Sequence, residues 1–118
     1  MTTTTTTQPK VGQYYSTSWG YDQTNYDFII VVGISPTGKT AICRCVLPIH
    51  LGEAAQTDIL TPGGDAIGPN FRLKITPNGR LRGSYPYIIG HWDSTRLGSF
   101  TPAKFGKSYY QTMEIFGH

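Results

Sequence analysis

Residues 71–85 read FRLKITPNGRLRGSY. Phe71, Leu73 and Ile75 alternate with Arg72 and Lys74, the period-two pattern of a strand with one dry face and one wet face. Thr76, Pro77, Asn78 and Gly79 then interrupt the alternation with a turn signal. Proline presets φ at the second turn position, and glycine accepts a positive φ that a side chain resists. Arg80 to Tyr85 returns as the partner strand. The segment therefore predicts a β-hairpin with a cationic outer face.

The same punctuation continues in both directions. Val11 to Trp19, rich in Tyr, Ser and Thr, reads as a strand, and Gly20 to Asn25 (GYDQTN) as a polar turn. Tyr26 to Val32 (YDFIIVV) is the strongest apolar run and predicts a central strand. Gly33 to Lys39 carries Pro36 and Gly38 and reads as a hairpin turn. Thr40 to Leu47 (TAICRCVL) is a strand that Pro48 closes. Ile49 to Gln56 reads as one short helical turn or a loop. Thr57 to Pro69, with Pro62, Pro69 and three glycines, reads as a loop. Tyr87 to Gly90 is a short apolar piece, Trp92 to Lys107 an irregular excursion, and Ser108 to Phe116 a final strand. The expectation is an all-β chain: a single small β-barrel, SH3-like or OB-like, of about five to six short strands. It spans residues 11–118. Residues 1–10 (MTTTTTTQPK) have no hydrophobic period and form a flexible Thr-rich N-terminal arm.

Composition agrees. The 118 residues carry fourteen Gly and eight Pro, too many for a helical bundle because both interrupt helices. Aromatic residues make up 13% and charged residues only 14%, which argues against disorder. There is no apolar run long enough for a membrane-spanning helix, and no apolar leader segment is visible. Cys43 and Cys45 stand two apart in a strand, roughly 6.5–7 Å between Cα atoms. That separation within one stiff strand does not suit a disulfide, and two thiols are too few for a zinc site. Buried or half-buried free thiols and a reducing compartment, the cytoplasm, are expected.

The motifs for chemistry are sparse. Gly33 to Thr40 (GISPTGKT) matches the phosphate-loop pattern G-x-x-x-x-G-K-(S/T), in which Lys39 and Thr40 would serve phosphate and magnesium. That loop must open a helix, yet residues 41–46 alternate as a strand and Pro48 would break a helix within about two turns. A plain hairpin turn is predicted. His50, His91 and His118 show no metal-ligand spacing, the seven acids are scattered, and no nucleophile or paired-carboxylate motif occurs. No catalytic residue, metal or cofactor is assigned.

Two constellations remain. Ten Lys and Arg against seven Asp and Glu give a formal charge of +3, and the cations are uneven. Arg72, Lys74, Arg80 and Arg82 fall on the outer face of the hairpin and form a candidate phosphate-binding patch, or simply a solvated face. Nearby exposed Tyr or Trp would stack bases. The second is SWGYDQTN, residues 18–25. Asp22, Gln23, Thr24 and Asn25 concentrate hydrogen-bonding groups at a turn, which such residues build by folding back on the backbone. Flanked by Trp19, Tyr21 and Tyr26, and joined by Gln111, Thr112 and His118 from the end of the chain, they would also make a pocket with aromatic walls and polar tips. Both readings, structural corner and ligand pocket, require the two ends of the domain to meet.

The octapeptide SWGYDQTN, with YQT at residues 110–112 and Gly117-His118, resembles a family of small uncharacterised proteins of bacteria, plasmids and tailed phages. Its members open with V-G-x-x-(Y/F)-x-S-W-G-Y-D-Q-T-N and end with W-D-G-K-x-x-Y-Q-T-x-x-x-G-H. Here Trp92-Asp93 lies much further upstream than that ending has it, and residues 47–97 have no counterpart. The resemblance implies a mobile-element or phage origin and one β-rich domain, but no activity. The reading as a whole is a non-enzymatic accessory protein that binds nucleic acid or a nucleotide, one use being to sequester a host nucleotide signal. It is cytoplasmic, without membrane contact, and homo-oligomeric. The alternatives are a virion-associated or oligomeric interaction protein, and a small hydrolase.

Overall fold

The computed structural model describes residues 8–19, 25–54, 57–88 and 90–112. Seven strands make up its regular structure: β1 (Tyr14–Trp19), β2 (Asn25–Ile34), β3 (Thr40–Ala54), β4 (Thr57–Ile75), β5 (Leu81–Pro86), β6 (Thr95–Ala103) and β7 (Tyr109–Thr112). The described residues contain no helix, and so none long and apolar enough to cross a membrane. All pairings are antiparallel, in the order β3-β2-β1-β6-β5-β4-β7, and β3 also pairs with β4. That last pairing closes β1 to β6 into a ring and leaves β7 outside it, on β4. The all-β, ring-like expectation holds, with seven strands instead of five to six.

The run in β2 shows why the ring has two layers. Ile29 and Val31 point inward, into a core with Tyr15, Ala41, Cys43, Leu73, Leu81, Tyr85 and Phe100. Phe28 lies on the opposite face, in a second core with Val46, Leu60, Ala103 and Tyr109, flanked by Tyr14, Tyr26 and Ile30. Both faces of β2 are thus buried, so its sequence is apolar almost without alternation. The outer core forms because β3 and β4 run on beyond the ring as a two-stranded arm. This arm carries β7 and packs across the outside of β2.

That arm corrects three expectations. Pro48 does not end β3, residues 49–54 are neither helical nor loop, and residues 57–69 belong to β4. Proline and glycine are tolerated because the ladder is irregular there. Its register shifts between Cys43 and Cys45, between Val46 and Pro48, and between His50 and Gly52. Pro48 faces Pro62, two residues with no N–H to leave unpaired. Most of the expected excursion at 92–107 is strand β6. At the ends, β1 begins at Tyr14, not Val11, and β7 runs from Tyr109, not Ser108, to Thr112; residues 113–116 of the expected final strand, the six threonines and the GYDQT turn lie outside the described residues.

Residues 35–40 form the hairpin turn between β2 and β3. Gly38 N–H donates to Ser35 O at 2.8 Å, and Ser35 N–H to Thr40 O at 2.9 Å. Gly38 sits at φ 71°, as the turn requires. With a strand following, no helix N-terminus forms here to cradle a phosphate, and the Gly38 and Thr40 N–H groups are spent on Ser35 O and Ser35 Oγ. The second hairpin turn closes through Gly79 N–H to Thr76 O and Thr76 N–H to Arg80 O.

Candidate functional site

At one end of the ring, β1 finishes at Trp19, β2 starts at Asn25, β5 finishes at Pro86 and β6 starts at Thr95. Between these ends opens a cleft of about 260 Å³. Its walls include Trp19, Tyr26, Phe28, Tyr87 and Trp92, and its polar groups come from Asn25, Asp27, Cys45 and Gln111. Trp19 meets Tyr87 edge to face, ring centroids 6.4 Å apart. Trp92 lies on Gly68: a Cβ there would stand 2.8 Å from the indole, and Gly68 holds φ +76°. Only glycine lets the ring approach the backbone this closely.

Asp27 lies on the floor. It shares the inward face of β2 with Ile29 and Val31. Its Oδ2 accepts hydrogen bonds from Trp19 Nε1 at 2.7 Å and from the Tyr85 hydroxyl at 2.5 Å. Burial pushes the Asp27 carboxyl above its ordinary pKa, while the two donors and the Arg96 cation pull it back in part. Burial likewise raises Tyr85, and the Asp27 charge adds to this. Desolvation first, and Asp27 second, push the Cys45 thiol up to about 11, so it stays protonated and donates to Pro86 O at 3.3 Å. Cys43, one inward position away, is buried and pushed up to about 12. Both thiols are buried or half-buried, as expected from sequence. Arg96 sits beside the walls, its guanidinium carbon 4.8 Å from the centroid of Trp19 and 5.5 Å from that of Tyr87.

The two chain ends meet here. Gln111 Oε1 accepts the Tyr26 N–H at 2.8 Å. Tyr26 needs that acceptor because β2 pairs with β3 only from Phe28 onward. The contact is a side-chain bridge, not strand pairing: β1 lies between β2 and β6, and β7 lies on β4. The ring closes through β3 and β4, so the first and last strands need not join. Asn25 Nδ2 is buried and finds no partner among the described residues. Trp19, Asn25, Tyr26 and Gln111 are thus brought together. Thr112 ends β7 opposite Thr57. Tyr21, Asp22, Gln23, Thr24 and His118 lie outside the described residues.

The cationic hairpin is a separate place. Lys74 and Arg82 are cross-strand partners, and Arg72, two positions from Lys74, shares their outward face. Arg80 follows the turn, and all four are exposed. Four positions of β5 separate Arg82 from Pro86, about 13 Å. The patch therefore lies toward the far end of the ring and outside it, while the cleft opens inward at the near end.

Sequence reasoning missed Asp27, Cys45, Tyr85, Tyr87 and Arg96, and took Trp92 only as the start of an excursion and as part of the displaced Trp92-Asp93 pair of the resemblance. It also missed a cation-ligand set at the arm, where ligand atoms of His50, Glu53 and Asp58 lie within 4.8 Å of one another. Asp58 arrives from β4, so spacing along the chain does not reveal it. The chain matches no protein-family model, no curated protein and no solved structure.

Proposed function

We propose that this protein is a binding module, not an enzyme, and that its ligand carries a nucleobase: a nucleotide or an end of single-stranded nucleic acid. The observation that carries the reading is the cleft itself. Indole and phenol rings wall it, and a buried amide donor, Asn25 Nδ2, lacks an acceptor among the described residues. Flat rings offer stacking surface to a base, and an unpaired amide offers a hydrogen bond to its edge. The outward cations Arg72, Lys74, Arg80 and Arg82 favour an anionic partner in general. In the phage or plasmid setting that the sequence resemblance suggests, such a module would sequester a host nucleotide.

Trp19 and Trp92 are the two tryptophans of the chain, and both line the cleft. Nucleotides should therefore quench the protein's emission in a saturable titration. Tyr87→Ala should weaken binding by about ten- to a hundredfold, the usual worth of one stacking partner. Unchanged emission across nucleotides and short single-stranded DNA would sink the reading.

A second reading, subunit contact, is favoured by Leu97, Phe105 and Tyr110, apolar side chains that are each more than half exposed. Light scattering should then report a mass above one chain, and Leu97→Lys together with Phe105→Lys should return it to the monomer. A monomeric mass for the unmodified protein dismisses it.

A further inference from the structure

Resting on the nucleobase reading, we propose that the cleft takes one phosphorylated nucleotide, with the base between the aromatic walls and the phosphate on Arg96. The cationic hairpin, singled out by the sequence, does not serve this site. Its cations face outward, and the cross-strand ladder from Arg82 runs to Ser99, away from the cleft. Between Arg82 and the cleft the outward positions are Ser84 and Leu97, which are cross-strand partners and carry no charge. A strand of nucleic acid leaving the cleft toward the hairpin would lay its phosphates on a hydroxyl and an apolar side chain.

Arg96 is differently placed. Its guanidinium is oriented by the faces of Trp19 and Tyr87, the same rings that wall the cleft. No described residue accepts a hydrogen bond from it. Asp27, the nearest acid in the site, spends Oδ2 on Trp19 and Tyr85 and forms no ion pair with Arg96. A planar fork with its donors unspent, held beside a base-sized aromatic cleft, is suited to a phosphate, which it can grip with two parallel bonds. The size of the cleft points the same way: about 260 Å³ lies below the span typical of larger-ligand pockets and leaves room for one base and its sugar.

The test titrates the full chain with the common nucleosides, their 5′-monophosphates and a single-stranded octathymidylate, read by tryptophan emission. The unmodified protein should bind its preferred monophosphate at least about tenfold more tightly than the nucleoside, the return on one charge-assisted phosphate contact. Arg96→Gln should abolish that preference while nucleosides still bind, and Arg96→Lys should restore part of it. The triple variant Arg72→Gln, Lys74→Gln, Arg82→Gln should keep it whole. Melting curves on each variant separate loss of fold from loss of contact. Equal binding of nucleoside and monophosphate overturns the inference and leaves the nucleobase reading standing. So does a preference that survives Arg96→Gln or vanishes in the triple variant, or an octathymidylate that outcompetes every mononucleotide. If no nucleoside, nucleotide or oligonucleotide binds, both readings fall.

Discussion

Replacing Asp27 by alanine is expected to destabilise the fold by about 2–4 kcal/mol, because two donors each lose an acceptor worth roughly 1–3 kcal/mol and removal of a buried carboxylate offsets only part of that. The donors are Trp19 Nε1 and the Tyr85 hydroxyl, and the ring positions of both depend on the same oxygen. Asp27→Asn keeps an acceptor in place and should cost far less. The pair of variants also separates hydrogen bonding from charge. Burial raises the Asp27 carboxyl in the folded chain. The folded state therefore binds this proton more tightly than the unfolded state, whose aspartates titrate near about 3.9. Stability from this group is full below that value and is lost as pH rises through the higher folded value. Denaturant midpoints measured upward from pH 4 should fall for the unmodified protein, and this component should be missing from Asp27→Asn. A rise over the same window would mean that the carboxylate is paired, not penalised.

Asp27 also shows what the sequence could have disclosed. It stands in phase with Ile29 and Val31, so a carboxylate on the inward face of the best strand was visible in the run YDFIIVV. The hairpin at residues 71–85 was legible for a related reason: Phe71, Leu73 and Ile75 meet core on one side and water on the other, and the turn residues are standard for their positions. β6 was not legible, because its inward positions are Arg96, Gly98 and Phe100. Gly98 is small because a Cβ there would stand 2.7 Å from the Tyr85 ring. An aromatic neighbour fills the space that an apolar side chain would otherwise mark, and the alternation disappears. The arm was hidden by its prolines and glycines, which usually signal loop and here sit where the β3–β4 register slips. The separation of the cationic hairpin from the cleft was beyond any reading of spacing. It follows from which end of β5 each occupies, and ring closure sets that.

Gln111 and Asn25, joined in sequence reasoning as one polar corner, are expected to respond in opposite ways. Gln111→Ala removes the acceptor of the Tyr26 N–H, at a point where β3 has already left β2. A half-buried amide is then orphaned and the hydrogen bond between β7 and β2 is cut, while the β4–β7 pairing stays. The expected loss is about 1–3 kcal/mol, visible as a lower midpoint in thermal or denaturant unfolding. Asn25→Ala removes a donor with no partner among the described residues. An unsatisfied buried group contributes a penalty to the folded state, so its deletion should leave stability unchanged or slightly higher. The same change should weaken ligand binding by about tenfold or more, because the donor that the cleft keeps unspent is the one a base edge would use. Gln111→Ala, measured well below its own melting point, should retain most of the affinity. If Asn25→Ala unfolds the chain as readily as Gln111→Ala does, the amide has a structural partner and the cleft loses its strongest argument for a ligand.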